Sequence, residues 1–389
     1  MGLESRLKKG FVMSRRSRRK PVILGILAIL LHASLLLGQV RQEIRIPDIM
    51  GYKTLKCDFH THTVFSDGLV WPTVRVDEAW REGLDAISIT DHIEYQPHKD
   101  DVPVKHNRSY DLALPRAKER GILLVKGTEI TRDTPPGHFN ALFLEDVKPL
   151  DTNDLLDAME AASRQGAFIW WNHPGWKPDK KGWFEIHTTL YEKKYLRGIE
   201  VVNGEDYDPE AHQWALDKNL TFLGNSDIHD ASPLQKTTSE SHRPMTLVFV
   251  KDKSISGIKE ALIAGRTAIW FGGKVIGRPQ YLEALFDGAT RLGNIQYEEG
   301  KTQGVRFTLH NSSDLPLTLL RTGKAGPKEL SLPANTTVGV RVTVDSVEKP
   351  LQLSYTATNF LIGPDKGLPV NLVVAGQLKV GIKATIGSN

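Results

Sequence analysis

The stretch Cys57-Asp58-Phe59-His60-Thr61-His62-Thr63-Val64-Phe65-Ser66-Asp67-Gly68 puts two histidines and an aspartate at the exit of an apolar strand, which is how a metal site begins. Residues two apart in an extended strand share a face, so His60 and His62 converge on one ion while Thr61 points away. Three further clusters carry the same theme: Thr90-Asp91-His92, Gly127-Thr128-Glu129 and Ser226-Asp227-Ile228-His229.

Working outward, apolar strands alternate with amphipathic or polar segments over residues 54–271, the pattern of a parallel β/α architecture, either barrel or layered sheet. Strands are expected at 54–60, 86–91, 122–129, 138–144, 167–173, 198–203, 220–227 and 245–250. Helices are expected at 72–82, 154–164, 209–218 and 255–264. His60, His62, Asp91, His92, Glu129, His173, Asp227 and His229 all fall at C-terminal strand ends, the rim where a β/α barrel assembles its active site. His138 instead begins a strand. After about residue 275 the apolar segments at 305–310, 317–320, 337–344, 351–358 and 372–374 are short, often alternating and separated by turn residues, with no helical period. They predict a small all-β sandwich. The expected organisation is a leader over 1–38, a barrel over 45–275 and a sandwich over 276–389.

The chain has 389 residues, 40% apolar and 25% charged, enough for one large domain and a smaller one. Its net charge of +4 is misleading, because eight basic residues against Glu4 in the first 20 leave roughly −3 for the remainder. A nucleic-acid partner therefore has no electrostatic basis. The basic stretch precedes charge-free residues 21–37, a run shorter than the ~18 or more residues of a spanning helix, and reads as a secretory signal peptide. The expectation is a protein exported to the periplasm or beyond, with no stable membrane span after cleavage; an uncleaved N-terminal anchor is the alternative. Cys57 is the only cysteine, so a disulfide within the chain is impossible, and a buried thiol is expected there.

Six of the 13 histidines, His60, His62, His92, His138, His173 and His229, join Asp67, Glu129 and Asp227 as candidate metal ligands. Nine donors exceed the needs of one ion. A mixed imidazole and carboxylate set suits Zn, Mn or Fe, and the number implies two or three ions with Glu129 as a natural bridge. Closely spaced divalent ions activate water and clamp phosphoryl oxygens. Asp91 is expected to orient His92 or a neighbour. His98, His106, His187, His212, His242 and His310 lie outside the motifs and are expected at the surface or in loops. Trp170, Trp171 and Trp176 flank His173; Trp170 is expected to pack, whereas Trp176 stands between packing and lining a pocket for an aromatic or apolar ester group. Asn140 is expected to face the same side as His138.

The ordered set His60-x-His62-xxx-Ser66-Asp67-Gly68, Thr90-Asp91-His92, Gly127-x-Glu129, His138, Asn172-His173-Pro174-Gly175 and Ser226-Asp227-x-His229 resembles the polymerase and histidinol phosphatase (PHP) family, over residues 54–271. The leader and the extra β domain fit an exported member. The resemblance implies a distorted (β/α)7 barrel, a trinuclear metal centre and hydrolysis of a small-molecule phosphomonoester or diester by a metal-activated hydroxide. By position it implies His60, His62, Glu129 and Asp227 at one ion and Asp67, His92 and Glu129 at a second. His138, His173 and His229 would complete the centre, His229 at the second ion. Asp227 or His229 would assist proton transfer, and Arg243 either binds phosphate through its planar fork or lies at the surface. Two other readings are an exported binding or scaffold protein with a non-catalytic barrel, and a metal-dependent amidohydrolase, whose barrel also begins His-x-His. The place of Glu129 and the Ser226-Asp227-x-His229 ending favour the phosphoesterase.

Overall fold

The computed structural model describes residues 40–375 except 104, 235, 299–302 and 345–349. The expected leader lies outside the described residues. Strands β1 (Lys53–Asp58), β2 (Ala86–Ile89) and β3 (Leu123–Ile130) run parallel and are linked by α1 (Pro72–Arg81) and α2 (Arg108–Arg120). Then β4 (Phe139–Leu142) runs antiparallel to β3 and to β5 (Phe168–Trp171). After α3 (Leu155–Arg164), β5 and α4 (Glu185–Glu192), β6 (Leu196–Asn203) resumes the parallel direction and turns into the short β7 (Asp206–Tyr207). Helix α5 (Pro209–Asp217) leads to β8 (Thr221–Asn225), parallel to β6. On the other side of β1, β9 (Met245–Val250) pairs antiparallel, and α6 (Ile255–Ile263) carries the chain to β10 (Thr267–Phe271).

The ring closes where β8 meets β1: Asp227 N donates to His60 O at 2.9 Å and His62 N to Ile228 O at 3.1 Å. The result is a distorted (β/α)7 barrel, with β4 and β9 opposed to the other strands. The parallel β/α architecture expected from the alternation holds except at these two strands. Residues 131–138 link β3 to β4 with too few residues for the crossover of about a dozen or more that a parallel return needs, so the chain can only turn back. Every residue of β2, β4, β5 and β9 is buried, as in a sheet covered on both faces. Pro72 opens α1 at a position where its missing N–H costs nothing, and Asp154 caps α3 by accepting from Leu156 N at 2.7 Å. Helix α2 went unexpected because its buried positions are only Ser109, Ala113 and Ala117.

Beyond the barrel come β11 (Lys274–Gly277) and α7 (Pro279–Ala289), then β12 (Thr290–Glu298), β13 (Gly304–Asn311), β14 (Leu317–Arg321), β15 (Glu329–Leu332), β16 (Thr337–Thr343), β17 (Leu351–Gly363) and β18 (Lys366–Val374). The absence of helical period expected after residue 275 is corrected by α7, which buries Leu282, Leu285, Phe286 and Ala289 at i, i+3, i+4 and i+7. One sheet has the order β12-β13-β16, and β15, β14, β17 and β18 form the other. Val305, Phe307, Leu309, Val340, Leu353 and Tyr355 fill the sandwich core. Strand β17 also pairs in parallel with β11, through Val275 with Phe360 and Ile276 with Leu361, while β11 pairs antiparallel with β10. The second sheet is therefore continuous with the barrel sheet.

Candidate metal centre

The structure gathers His60, His62, Asp67, His92, Glu129, His138, His173, Asp227 and His229 at one rim. Their donor atoms form four groups, each within 4.8 Å: His62, Asp67, His92 and His229; His60, His62 and Glu129; His60, His173 and Asp227; and His92, Glu129 and His138. Antiparallel β4 explains why His138 belongs, since the N-terminal end of a reversed strand lies at the same rim as the C-terminal ends of its neighbours. Glu129, fully buried, stands in the middle. Its Oε2 lies 3.2 Å from nitrogens of His60, His62 and His92, while its Oε1 lies 3.1 Å from His138, 3.5 Å from His173 and 2.8 Å from Asn172 Nδ2. The Nε2 of His62 is 2.9 Å from Asp227 Oδ1, yet both atoms are buried without the alignment of a hydrogen bond.

A ring of supporting groups fixes these side chains. His60 Nδ1 lies 2.9 Å from Glu200 Oε1, which turns Nε2 toward the cluster. Glu200 also accepts from Asn225 Nδ2 at 2.9 Å, Asn203 Nδ2 at 2.9 Å and His173 N at 3.0 Å. It was absent from the expected set, although an acid in the apolar run Ile199-Glu200-Val201-Val202 is a readable signal. Arg75, wholly buried on α1, donates to the carbonyls of His62 (2.8 Å), Ile228 (3.0 Å), His229 (2.6 Å) and Asp230 (2.7 Å). One guanidinium thus clamps the two ligand-bearing loops together. His173 and Asp227 hold left-handed backbone, with φ of 28° and 51°. Such conformations are costly outside glycine and persist where the surroundings enforce them, here the bonds from His173 N to Glu200 and from Asp227 N to His60.

Burial opposes charge on most of these groups, but the opposite charges facing them prevail. Asp227, Glu200 and Glu129 hold His60 well above its ordinary pKa, and contacts with Asp227 and Glu129 carry His62 up to about 10. Glu129 stays well below the usual carboxylate range beside His92 and His60, as does Asp227 beside His60 and His62 and Asp67 beside His229 and His92. His138 differs: burial outweighs Glu129 and lowers its pKa.

Several expectations change. Arg243 lies neither on the cavity wall nor at the surface; it is buried, with Nε 2.7 Å from Glu82 and Nη1 3.0 Å from Asp58. Its charge is consumed by those two carboxylates, and Asp58 in turn holds the Ser226 hydroxyl. Of the two roles expected of Asp91, it takes the orienting of a neighbour and not of His92. It accepts from Thr63 N at 2.7 Å and from Ser66 Oγ at 2.9 Å, bracing the turn that carries His62 and Asp67. His187, His212 and His242 are buried among aromatic rings, His187 3.9 Å from Trp171 and His242 3.9 Å from Trp270. Trp170 packs with no exposure, Trp171 is buried, and Trp176 is 56% exposed on the cavity wall. Asn140 lies opposite Glu129 in the β3–β4 ladder, on the same face, fully buried. Cys57 is buried.

A cavity of about 710 Å³ opens over the cluster, walled beyond the candidate ligands by Tyr95, Arg132, Trp176 and Lys177. His229, with its side chain 36% exposed, lies on its rim.

Comparison with known proteins bears on both parts. The Ig-like domain model DUF5001 matches residues 291–373. No curated protein matches the chain. A solved two-domain protein from Bacteroides vulgatus, described as containing a predicted PHP-like metal-dependent phosphoesterase, is 48% identical. The match covers 86% of this chain and 99% of that one, with a TM-score of 0.81. More distant are a Bifidobacterium adolescentis protein assigned as a metal-dependent phosphoesterase (17% identity, 53% of this chain and 95% of that one, TM-score 0.37) and the lesion-specific endonuclease EndoQ of Pyrococcus furiosus (17%, 63% and 62%, 0.37).

Proposed function

The chain belongs to the PHP-like metal-dependent phosphoesterases, and from that premise we propose that it hydrolyses phosphoesters at a centre of two or three divalent ions. His60, His62, Asp67, His92, Glu129, His138, His173, Asp227 and His229 are the ligands in this reading. The observation that carries it is Glu129, whose two oxygens each face a separate set of imidazoles, as a carboxylate shared between ions must. The donor set fits divalent ions: the buried His62 Nε2 and Asp227 Oδ1 lie close without a hydrogen bond between them, and three carboxylates converge with six imidazoles at one rim.

When bound, such ions activate water and offset charge on the phosphoryl oxygens. The chain's own residues do the rest. Glu200 presents His60 Nε2, Ser66 faces His62 Nδ1 at 3.3 Å, and Thr131 Oγ1 faces His92 Nδ1 at 2.6 Å. A proton for the leaving oxygen would come from His229 or Asp227, neighbours at the cavity wall, whichever of the two is not holding an ion. Residues 45–275 are the catalytic part and 276–389 the appended β part; the basic and apolar N-terminal run supports export. Among the described residues no helix is long and apolar enough to cross a membrane.

Metal analysis after reconstitution with Mn or Zn, joined to assays of aryl phosphate mono- and diesters, tests the proposal. Two or more ions per chain and ester cleavage that His60→Ala abolishes are expected. Fewer than two ions and no cleavage would overturn it.

A further inference from the structure

A second cavity, of about 410 Å³, adjoins the first. The two share His173 and Trp176, so the indole forms a ridge between them beside the ligand cluster. Both volumes fall in the range of roughly 300–1,000 Å³ typical of small-molecule sites, so each can take a whole substituent. Their walls differ in chemistry. The larger is flanked by aromatics on either side of the cluster: Tyr95, 53% exposed, 5.9 Å from the ring of His92, and Trp176, 5.1 Å from that of His138. The smaller sets the polar side chains of Asn203, Asp206, Tyr207, Asp208 and Lys181 among Pro174, Pro178 and Pro209. The one lysine or arginine on its wall is already paired, since Lys181 Nζ lies 2.7 Å from Asp208 and 3.2 Å from Glu210. That wall offers hydrogen-bond acceptors, with exposed Asp206 among them, and no spare positive charge for an anion.

Resting on the phosphoesterase reading, we infer that the smaller cavity is a second substrate subsite, which receives the neutral, hydroxylated arm of a phosphodiester whose other arm occupies the larger cavity. A phosphomonoester has one arm and leaves one cavity empty. In the reaction, water adds its oxygen to phosphorus and the P–O bond to one arm breaks. That arm departs as an alcohol carrying a proton, and the other arm remains as a phosphomonoester.

The test compares 4-nitrophenyl glyceryl phosphate with 4-nitrophenyl methyl phosphate on the metal-loaded protein, and the binding of glycerol 3-phosphate with that of methyl phosphate by calorimetry. The glyceryl compounds are expected to lead by about tenfold in kcat/KM and in affinity, the effect of one well-made hydrogen bond. Asp206→Trp, which fills the smaller cavity, should bring both ratios close to one. If esters are cleaved but neither ratio departs from one in the wild type, the subsite falls and the phosphoesterase reading stands. If no ester is cleaved while glycerol 3-phosphate still binds preferentially and Asp206→Trp removes the preference, the phosphoesterase reading falls and the subsite stands.

Discussion

Glu200 shows how a side chain positions candidate ligands without being one of them. Its Oε1 faces His60 Nδ1 and its Oε2 receives the His173 backbone N–H, so one carboxylate sets the position of two candidate ligands. Partners of this kind are typically worth 10–100-fold in metal affinity, so Glu200→Gln is expected to weaken binding by about that factor. The measurement is a competitive chelator titration, and affinity equal to wild type would contradict the assignment. At this scale most of the site was legible: the nine candidate ligands sit in short motifs whose residue types announce their chemistry. What was hidden is whatever acts at a distance. Arg75 looks like a polar position on an amphipathic helix, and only the fold shows its guanidinium on four loop carbonyls. Arg243 was misread for the same reason, because nothing near it in sequence reveals Glu82 and Asp58.

Among the elements, the turn after β1 is tightly constrained. A Cβ on Gly68 would lie 2.5 Å from the carbonyl carbon of His62 and 2.6 Å from Thr63 N, backbone atoms that cannot yield cheaply. Gly68→Ala is therefore expected to push the Asp67 turn off His62, costing about 1–3 kcal/mol as overpacking does. Denaturant unfolding should record that loss and metal analysis should find fewer ions per chain; wild-type values in both would refute it. Strands were legible to within a few residues because buried sheets leave long apolar runs. Strand direction was not. Reversal of β4 is decided by the length of one connection, and that reversal turns His138 from an anomaly at a strand start into a member of the rim. Helix α2 was hidden by its small buried residues and internal Pro115, whereas α7 carries a clear apolar stripe that the strand-rich surroundings obscured.

For the molecule as a whole, the buried histidines away from the cluster set its tolerance of acid. Burial pushes His187, His212 and His242 down to about 4, from an ordinary value of 6.5. Because the folded state refuses a proton that the unfolded chain accepts, the stability these three histidines contribute is full above about pH 6.5 and falls as pH drops toward 4. Each group contributes a loss on the order of 3 kcal/mol. Thermal melts of the metal-free protein between pH 7 and pH 4 should show this decline, and His212→Gln should make it shallower. A melting temperature independent of pH across that window would refute the account.

Strand β11 holds hydrogen-bond partners on both edges, β10 before it and β17 after it, and the second partner is made late. Phe360 follows Val275 by 85 residues. At about 5–20 residues per second, a nascent chain waits roughly 4 to 17 s between emergence of the two. Throughout that interval the barrel presents a bare strand edge, the kind of template on which other chains add strands. Chains arrested before residue 360 are accordingly expected to pellet on centrifugation, whereas chains released after residue 375 stay in the supernatant; equal partitioning of the two would show that the open edge is harmless.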